Sequence, residues 1–266
     1  MVTFGIRGLK VHSKLTLISR TEHGRNVNYA AVGTGNLHEG TATVYSDIHL
    51  LTSDKRICSE VWKVFDFFDN TFKNYNYKYL LISPNYQRKR LVALIDNEIK
   101  NARKGREAYI ILKLNSLVDS EMIRKLYQAN NAGVKISLIV RGICSIIPGV
   151  KGQSEKIEAV SIVDRFLEHS RIFVFCNNGD ELYYISSADW MPRNLDTRIE
   201  VTAPIFSKEL QDELRHIIDV QLNDNIKARI IDSEQTNPYK KTETSKPVRS
   251  QIELYRYYKE LAESKS

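Results

Sequence analysis

The stretch AYIILKLNSLVDSEMIRKLYQANNAGVKISLIV, residues 108–140, decides the fold class. It begins and ends with mostly apolar runs, at residues 108–114 and 134–140. Between them Asp119 stands where a helix N-cap is expected, and Gly133 ends the helical pattern. Apolar strands joined by one helix and short connections are typical of a parallel sheet covered by helices. The stretch therefore predicts an α/β fold.

The alternation of strands and helices continues on both sides of this unit. Upstream, strands are predicted at residues 11–18, 29–32, 43–48 and 79–82, with helices after Asp54 and around Leu91. Downstream, strands at residues 171–175, 182–185 and 197–201 precede a helix, a polar linker at 232–250 and a final helix at 251–262. We predict mixed, mostly parallel sheets flanked by helices. We also predict two domains, the first at residues 1–76 and the second at residues 77–266.

The composition indicates an anionic partner. Of the 266 residues, 39 are Lys or Arg and 32 are Asp or Glu, which gives a formal net charge of +7. No apolar run reaches the roughly 20 residues of a membrane helix, and the amino-terminal residues 1–7 lack the apolar core of a signal peptide. The three cysteines are far apart, so neither a disulfide framework nor a zinc site is expected, and we predict a cytoplasmic protein.

A faint internal repeat carries the functional signal. In the first copy, the segment around His12 and Lys14 is followed by a small-residue turn at 33–36 and by Asp47. In the second copy, the segment around His169 and Arg171 is followed by a turn at 186–189 and by Glu200. Two such copies are harder to obtain by chance than one His-x-Lys motif. We interpret the repeat as a paired-histidine site.

The residue types in the repeat suit phosphoryl chemistry. If His12 and Lys14 share one face of a strand, the cation holds a phosphate oxygen while the imidazole attacks phosphorus or moves a proton. A carboxylate is then needed at the other ring nitrogen of each histidine. Asp47 and Glu200 are the candidates, each on a later strand of its own copy. We expect the small residues of the turns to bring backbone N–H groups close to phosphate oxygens.

Long stretches of the chain resemble the carboxy-terminal half of the bacterial polyphosphate kinase family, which belongs to the phospholipase D-like superfamily. These stretches are residues 8–14, 33–36, 45–48, 50–52, 109–119, 138–144, 164–171 and 187–196. The resemblance implies two phospholipase D-like domains, of which the first is incomplete here. Family members are well over twice this long, so it also implies that the chain is a fragment.

The resemblance also implies roles for individual residues. His12 matches the histidine that becomes phosphorylated, and His169 matches the second histidine, which contacts the nucleotide phosphates and acts as the general acid. The remaining matches are the nucleotide-binding Tyr45 and Arg141, the phosphate-clamping Lys14, Arg171 and Arg198, and the imidazole-orienting Asp47 and Glu200.

The implied activity is reversible transfer of the terminal phosphate of ATP to polyphosphate through a phosphohistidine at His12. ATP and ADP are the implied nucleotides, and Mg²⁺ is expected with ligands outside this sequence, so no metal ligand is predicted within it. Inorganic polyphosphate is the implied partner and nucleic acid is not expected. A homo-oligomer is expected for the full-length protein, and peripheral association with the inner face of the membrane stays open.

Two other functions remain open from the sequence. A phosphodiesterase of the phospholipase D or nuclease type would use the same paired histidines on a diester, although Arg171 in place of a second lysine argues against it. A catalytically silent module that binds polyanions would use the positive charge alone.

Overall fold

A large mixed sheet with helices on both faces forms the centre of the chain. The computed structural model describes residues 5–6, 8–241 and 246–264. The strands are β1 (Lys10–Val11), β2 (Lys14–Glu22), β3 (Arg25–Gly33), β4 (Tyr45–Ser46), β5 (His49–Thr52), β6 (Leu81–Ser83), β7 (Tyr109–Leu114), β8 (Lys135–Val140), β9 (Ile157–Ile162), β10 (Leu167–Glu168), β11 (Arg171–Phe175), β12 (Leu182–Ser186), β13 (Arg198–Ile205) and β14 (Ala228–Ile230). The helices are α1 (Glu39–Ala42), α2 (Lys55–Asp69), α3 (Gln87–Arg103), α4 (Ser120–Asn131), α5 (Pro192–Asp196), α6 (Lys208–Leu222) and α7 (Ser250–Glu263).

The large sheet has the order β1-β13-β12-β11-β7-β8-β9-β14, and β6 also pairs with β13. The predicted parallel unit is present as β7, α4 and β8, and β9 adds a further parallel strand. The prediction of a mostly parallel sheet is wrong, because every other pairing in this sheet except β1 with β13 is antiparallel. Strands β11, β12 and β13 follow one another in the chain and pair with each other as antiparallel neighbours.

Two smaller sheets contain strands from the first part of the chain. Strands β2, β3 and β5 form an antiparallel sheet, and β4 pairs in parallel with β10. The strands predicted at residues 11–18 and 29–32 extend toward each other, so that residues 19–28 belong to a long hairpin. Its turn is confined to His23 and Gly24, which both have a positive φ.

The apolar side chains form two layers on opposite faces of the large sheet. Along β11, Phe173 packs into the layer with α3 and α4, whereas Ile172 packs into the layer with α2 and α6. Asp54 caps α2 as predicted, and Ile57 is in the core. The helical spacing of apolar residues after Asp54 continues in the sequence to Phe72, but α2 ends at Asp69 and the Phe72 side chain is 98% exposed.

The segment predicted as a linker, residues 232–250, is held against the body of the protein in its described part. The backbone of Lys240 pairs with Ala228, and that of Val248 pairs with Asn225. Ser250 is buried and already belongs to α7. Residues 242–245 of the predicted linker lie outside the described residues. Within residues 5–6, 8–241 and 246–264, no helix is both long and apolar enough to span a membrane.

Candidate active site

Two identical backbone breaks present the two histidines. The N–H groups of His12 and the next residue both donate to the carbonyl of Ile199, at 3.0 and 2.9 Å. The N–H groups of His169 and the next residue both donate to the carbonyl of Ser46, at 3.1 and 3.0 Å. Each histidine therefore lies between two strands, and the prediction that His12 stands within a continuous strand is wrong.

The cations reach the histidines by folding back rather than by sharing a strand face. Lys14 donates its Nζ to the carbonyl of His12. Arg171 donates Nη1 to the carbonyl of His169 at 3.0 Å, and the same nitrogen lies 3.2 Å from the ring Nε2. The expected closeness of histidine and cation is confirmed in both copies, although its geometric reason differs.

Each histidine is paired with the carboxylate of the other copy. His12 Nδ1 lies 2.9 Å from Glu200 Oε2, and His169 Nδ1 lies 2.7 Å from Asp47 Oδ1. The predicted pairing within each copy is wrong. His12 follows β1, whose parallel neighbour β13 carries Glu200 of the second copy. His169 follows β10, whose parallel neighbour β4 is followed by Asp47 of the first copy. Asp47 itself follows β4, which is shorter than the predicted strand at 43–48.

Both imidazoles keep access to solvent while their carboxylates are buried to different degrees. The side chain of His12 is 24% exposed and that of Glu200 is fully buried. The side chains of His169 and Asp47 are 12% and 14% exposed. Because Nδ1 of each ring faces a carboxylate, Nε2 is the nitrogen that faces away from it. At His169 this nitrogen also lies 3.2 Å from Arg171 Nη1.

The small-residue turns hold the carboxylates through matching hydroxyl groups. Thr34 Oγ1 donates to Asp47 at 2.8 Å and accepts from the N–H of Ile48 at 3.0 Å. Ser187 Oγ donates to Glu200 at 2.5 Å and accepts from the N–H of Val201 at 3.1 Å. The turns were predicted to approach phosphate, and sequence reasoning missed this second role of their hydroxyl residues.

Two further residues complete the support of the carboxylates. Asn194 Nδ2 donates to Glu200 Oε1 at 2.6 Å, so this side chain belongs to the support of Glu200. Gly35 lies directly against Asp47, since a Cβ at this position would be 1.7 Å from Asp47 Oδ2. A glycine is therefore required here by the position of the carboxylate.

Burial and neighbouring charges shift the pKa values of the site. Burial lowers the pKa of Lys14 to about 8, against the opposing effects of Glu200 and Asp47. Burial also lowers the pKa of His169, with Asp47 opposing and Arg171 reinforcing the shift. Burial acts to raise the pKa of Asp47, but the effects of His169, Thr34 and Arg171 together outweigh it and the pKa is lowered. Lys14 therefore senses the carboxylates of both dyads, which places groups from both copies in one electrostatic neighbourhood.

The two arginines that were predicted to clamp phosphate, Arg171 and Arg198, differ in their burial. Arg171 is almost completely buried, and it donates to Asp189 Oδ2 and to the carbonyl of Thr34, both at 3.0 Å. Arg198 is half-buried and lies close enough to Lys14 to lower its pKa. Arg171 therefore contributes a fixed charge beside His169, whereas Arg198 keeps part of its surface exposed.

The two predicted nucleotide-binding residues both lie beside His169. The Tyr45 ring is 4.9 Å from the His169 ring between centroids, at an interplanar angle of 55°. Arg141 donates Nε to Asn115 at 2.6 Å and to the carbonyl of Glu168 at 2.7 Å. Within the described part of the chain its Nη1 and Nη2 make no hydrogen bond. These two terminal nitrogens are therefore available to an anion.

A cavity of about 590 Å³ opens next to Arg141. Its lining includes Lys227 and Arg229 from the region of β14, together with Tyr239, over whose ring the Arg229 guanidinium lies at 3.9 Å. Sequence reasoning missed these two cations because it did not find β14. No group of three or more His, Cys, Asp or Glu side chains that could hold a metal ion occurs in the ranges that the structure describes.

This mixed α/β architecture, in which two histidines lie in matching backbone breaks, agrees with the predicted α/β fold class. A phosphatidylserine synthase from Haemophilus influenzae shares the fold with a TM-score of 0.54 over 89% of this chain at 9% identity. Family models for polyphosphate kinase C-terminal domain 1 and C-terminal domain 2 match residues 1–74 and 80–251. The chain belongs to the polyphosphate kinase family.

Individual relatives agree with this assignment. The chain is 47% identical over 260 residues to polyphosphate kinases of Vibrio parahaemolyticus and Escherichia coli K12. The match covers 98% of this chain but 37% and 38% of those relatives. The crystal structure of polyphosphate kinase from Porphyromonas gingivalis superposes with a TM-score of 0.92 at 42% identity, over 98% of this chain and 40% of that one. The chain thus spans less than half the length of these relatives.

Proposed function

We propose that this chain carries the phosphoryl-transfer site of a polyphosphate kinase, which moves the terminal phosphate of ATP to polyphosphate, reversibly, through a phosphohistidine at His12. The observation that carries the proposal is the pair of crossed dyads, His12 with Glu200 and His169 with Asp47. Each dyad holds one imidazole through Nδ1, and the charge of Lys14 is close to the carboxylates of both dyads. Family membership supports the same function.

In the first half-reaction, His12 Nε2 attacks the terminal phosphorus of ATP. A P–N bond forms, the bond from phosphorus to the bridging oxygen breaks, and ADP leaves. The imidazole becomes positively charged as it forms the bond, and the Glu200 carboxylate at Nδ1, 2.9 Å away, stabilises that charge. In the second half-reaction, a terminal oxygen of polyphosphate attacks the same phosphorus and His12 is released.

His169 is suited to move the proton of each half-reaction. Its lowered pKa leaves the free imidazole neutral near pH 7, as required to accept the proton of an incoming terminal phosphate. Bound phosphates are anionic and favour the imidazolium, so the same ring can protonate the leaving oxygen of ADP. The 2.7 Å contact with Asp47 holds the ring in one tautomer during both steps.

The cations neutralise the phosphates. Lys14, Arg198 and the buried Arg171 lie close to one another and to the dyads. They are suited to neutralise the negative charge that spreads over the oxygens of the transferred group. Arg141 extends this positive region through its free terminal nitrogens to the cavity with Lys227 and Arg229. A chain of phosphates is the ligand chemistry that such a row of cations fits.

Tyr45 and Arg141 are proposed to hold the nucleotide. The half-buried Tyr45 ring is one side of the space beside His169, and Arg141 approaches that imidazole from the end of β8. Mg²⁺ is expected to accompany the nucleotide through ligands outside this sequence, and none of the steps above passes through the metal. The expectations of a homo-oligomer, of a cytoplasmic location and of contact with a membrane surface stay predictions.

The test is phosphate incorporation from γ-labelled ATP into the complete protein that carries this chain. His12→Asn is expected to abolish acid-labile label. His23→Asn is the matched control, because His23 is exposed on a hairpin turn at a positive φ that asparagine tolerates. Label that survives His12→Asn would overturn the assignment of the acceptor. Hydrolysis of a diester chromogen without any phosphoprotein would instead indicate a phosphodiesterase.

A further inference from the structure

A buried ion pair lies directly behind His169. Lys113 Nζ on β7 donates to Glu168 Oε2 at 2.6 Å, and the two side chains are 2% and 3% exposed. The same Nζ donates to Ser170 Oγ at 2.7 Å. The contacts of Lys113 with both neighbours of His169 hold its side chain in the protein interior.

The Glu168 carboxylate is a hub, in that it accepts hydrogen bonds from side chains of β7, α6 and α7. Its Oε2 also accepts from Gln221 Nε2 on α6 at 2.7 Å, and its Oε1 accepts from Gln251 Nε2 on α7 at 2.8 Å. Its backbone carbonyl accepts from Arg141 at 2.7 Å. A buried carboxylate with every oxygen occupied is rigid, because each lost partner leaves a desolvated charge.

Gln251 ties the carboxy-terminal helix to this hub. In addition to Glu168, its Nε2 donates to the carbonyl of Phe166 at 2.8 Å, and its Oε1 accepts from the N–H of Phe166 at 3.0 Å. The side-chain amide therefore pairs with the backbone just before β10 as a neighbouring strand would. This places one side chain of α7 on the segment that ends in His169.

The residues around Gln251 fix the start of the helix. The preceding Arg249 donates two hydrogen bonds to Asp164, at 2.8 and 2.6 Å. Ser250 is buried and donates its N–H and hydroxyl to Asp224, at 2.8 and 2.7 Å. Three consecutive residues thus anchor the first turn of α7 to the segment around residues 164–168 and to the end of α6.

We propose that Gln251 is a positioning residue for His169, so that the carboxy-terminal helix is part of the phosphoryl-transfer machinery. It acts through Glu168, whose backbone leads into the break that presents the imidazole. Loss of the amide leaves Glu168 Oε1 without its donor and frees the backbone at Phe166, so the segment relaxes and the imidazole departs from its place beside Asp47. The kinetic part of this inference rests on the proposed function, whereas the position of the ring does not.

The test compares Gln251→Met with Gln211→Met. Methionine keeps the length of the side chain and removes the amide. Gln211 is the matched control because it is equally half-buried, near the start of α6, and donates one 2.8 Å hydrogen bond to the carbonyl of Ile205. Gln251→Asn is the second variant, which keeps an amide on a shorter stem if the methionine variant does not fold.

Two readouts are measured under conditions in which the variants and the control are equally folded. NMR titration of the chain with labelled histidine is expected to show the His169 midpoint rising toward its ordinary value of 6.5 in Gln251→Met, since burial is the largest cause of its lowering. In the complete protein, kcat is expected to fall roughly ten- to hundredfold with little change in the KM for ATP, as for a misplaced catalytic group. Gln211→Met is expected to leave both unchanged.

The outcomes separate this inference from the proposed function. Equal His169 titrations in Gln251→Met, Gln251→Asn and the control would overturn the positioning role. A shifted titration in a protein that forms no phosphohistidine would support the positioning of the ring and reject the kinase. A shift accompanied by an equal loss of kcat in the control would show general destabilisation and would also overturn the inference.

Discussion

Replacement of Glu200 by glutamine tests the crossed pairing in the sharpest way. Glu200 is completely buried and accepts from His12 and Ser187 at Oε2 and from Asn194 at Oε1. A glutamine can keep this geometry if its NH₂ replaces Oε1 and the Asn194 amide turns over. That turn is possible because Asn194 Oδ1 is buried without a partner in the described residues. The substitution therefore removes the charge at His12 and little else.

The expected loss follows from the type of hydrogen bond. A hydrogen bond to a charged group contributes about 1.5–3 kcal/mol, and each 1.4 kcal/mol corresponds to a factor of about ten. The charged hydrogen bond stabilises the transition state, in which the His12 imidazole becomes cationic, more than the neutral ground state. Its loss in Glu200→Gln is therefore expected to slow phosphohistidine formation roughly 10- to 150-fold. The rate is measured by rapid quench with γ-labelled ATP in the complete protein.

Glu60→Gln is the matched control. Glu60 is also a buried carboxylate, on α2, and it accepts from the backbone N–H groups of residues 78–80 rather than from an imidazole. It is expected to lose stability without a specific loss in the rate of phosphohistidine formation. The crossed pairing is refuted if Glu200→Gln leaves that rate unchanged. It is equally refuted if Asp47→Asn, and not Glu200→Gln, moves the Nδ1 resonance of His12.

Three further perturbations follow from the same geometry. Asp47→Asn is expected to lower the pKa of His169 further, because the hydrogen bond and charge of Asp47 act to raise it; NMR titration measures this. Because the pKa of Lys14 is lowered to about 8, a bound triphosphate that raises this pKa is expected to take up protons on binding and to bind more weakly above pH 8. Calorimetry in two buffers of different ionisation enthalpy measures the proton uptake, and Lys14→Met is expected to abolish it. Gly35→Ala is expected to cost roughly 1–3 kcal/mol in urea unfolding because its Cβ would overlap Asp47, whereas Gly40→Ala meets only the side chain of His38.

The fold class was predictable from the sequence because apolar runs and caps are local signals. The helix after Asp54 and the strand–helix–strand unit at residues 108–140 both follow from such signals. The direction of the strands was not predictable in the same way. Strand β9 was missed because Glu158 and Ser161 interrupt its apolar pattern, and β14 is too short for a periodicity to be seen.

The members of the site were predictable, but their partners were not. The repeat singled out His12, His169, Asp47 and Glu200, and all four lie in the two dyads. Sequence order favoured pairing within each copy, because nothing in a single copy reveals which strand of the other copy lies beside it. The supporting Thr34 and Ser187 stood in the quoted turns, where matching hydroxyl residues in both copies were the available signal.

Crossed pairing makes the site a property of the contact between the two copies rather than of either one. Each copy contributes an imidazole to one dyad and a carboxylate to the other, and β1 and β10 pair with strands of the opposite copy. The fully buried Glu200 would be a costly unpaired charge without His12, so the contact that assembles the site also offsets the desolvation of its carboxylate. The same holds for Arg171, whose buried guanidinium binds Asp189 of its own copy and the carbonyl of Thr34 of the other. A substitution that loosens the contact is therefore expected to weaken both dyads together, and one that alters a single carboxylate is expected to weaken the histidine of the opposite copy.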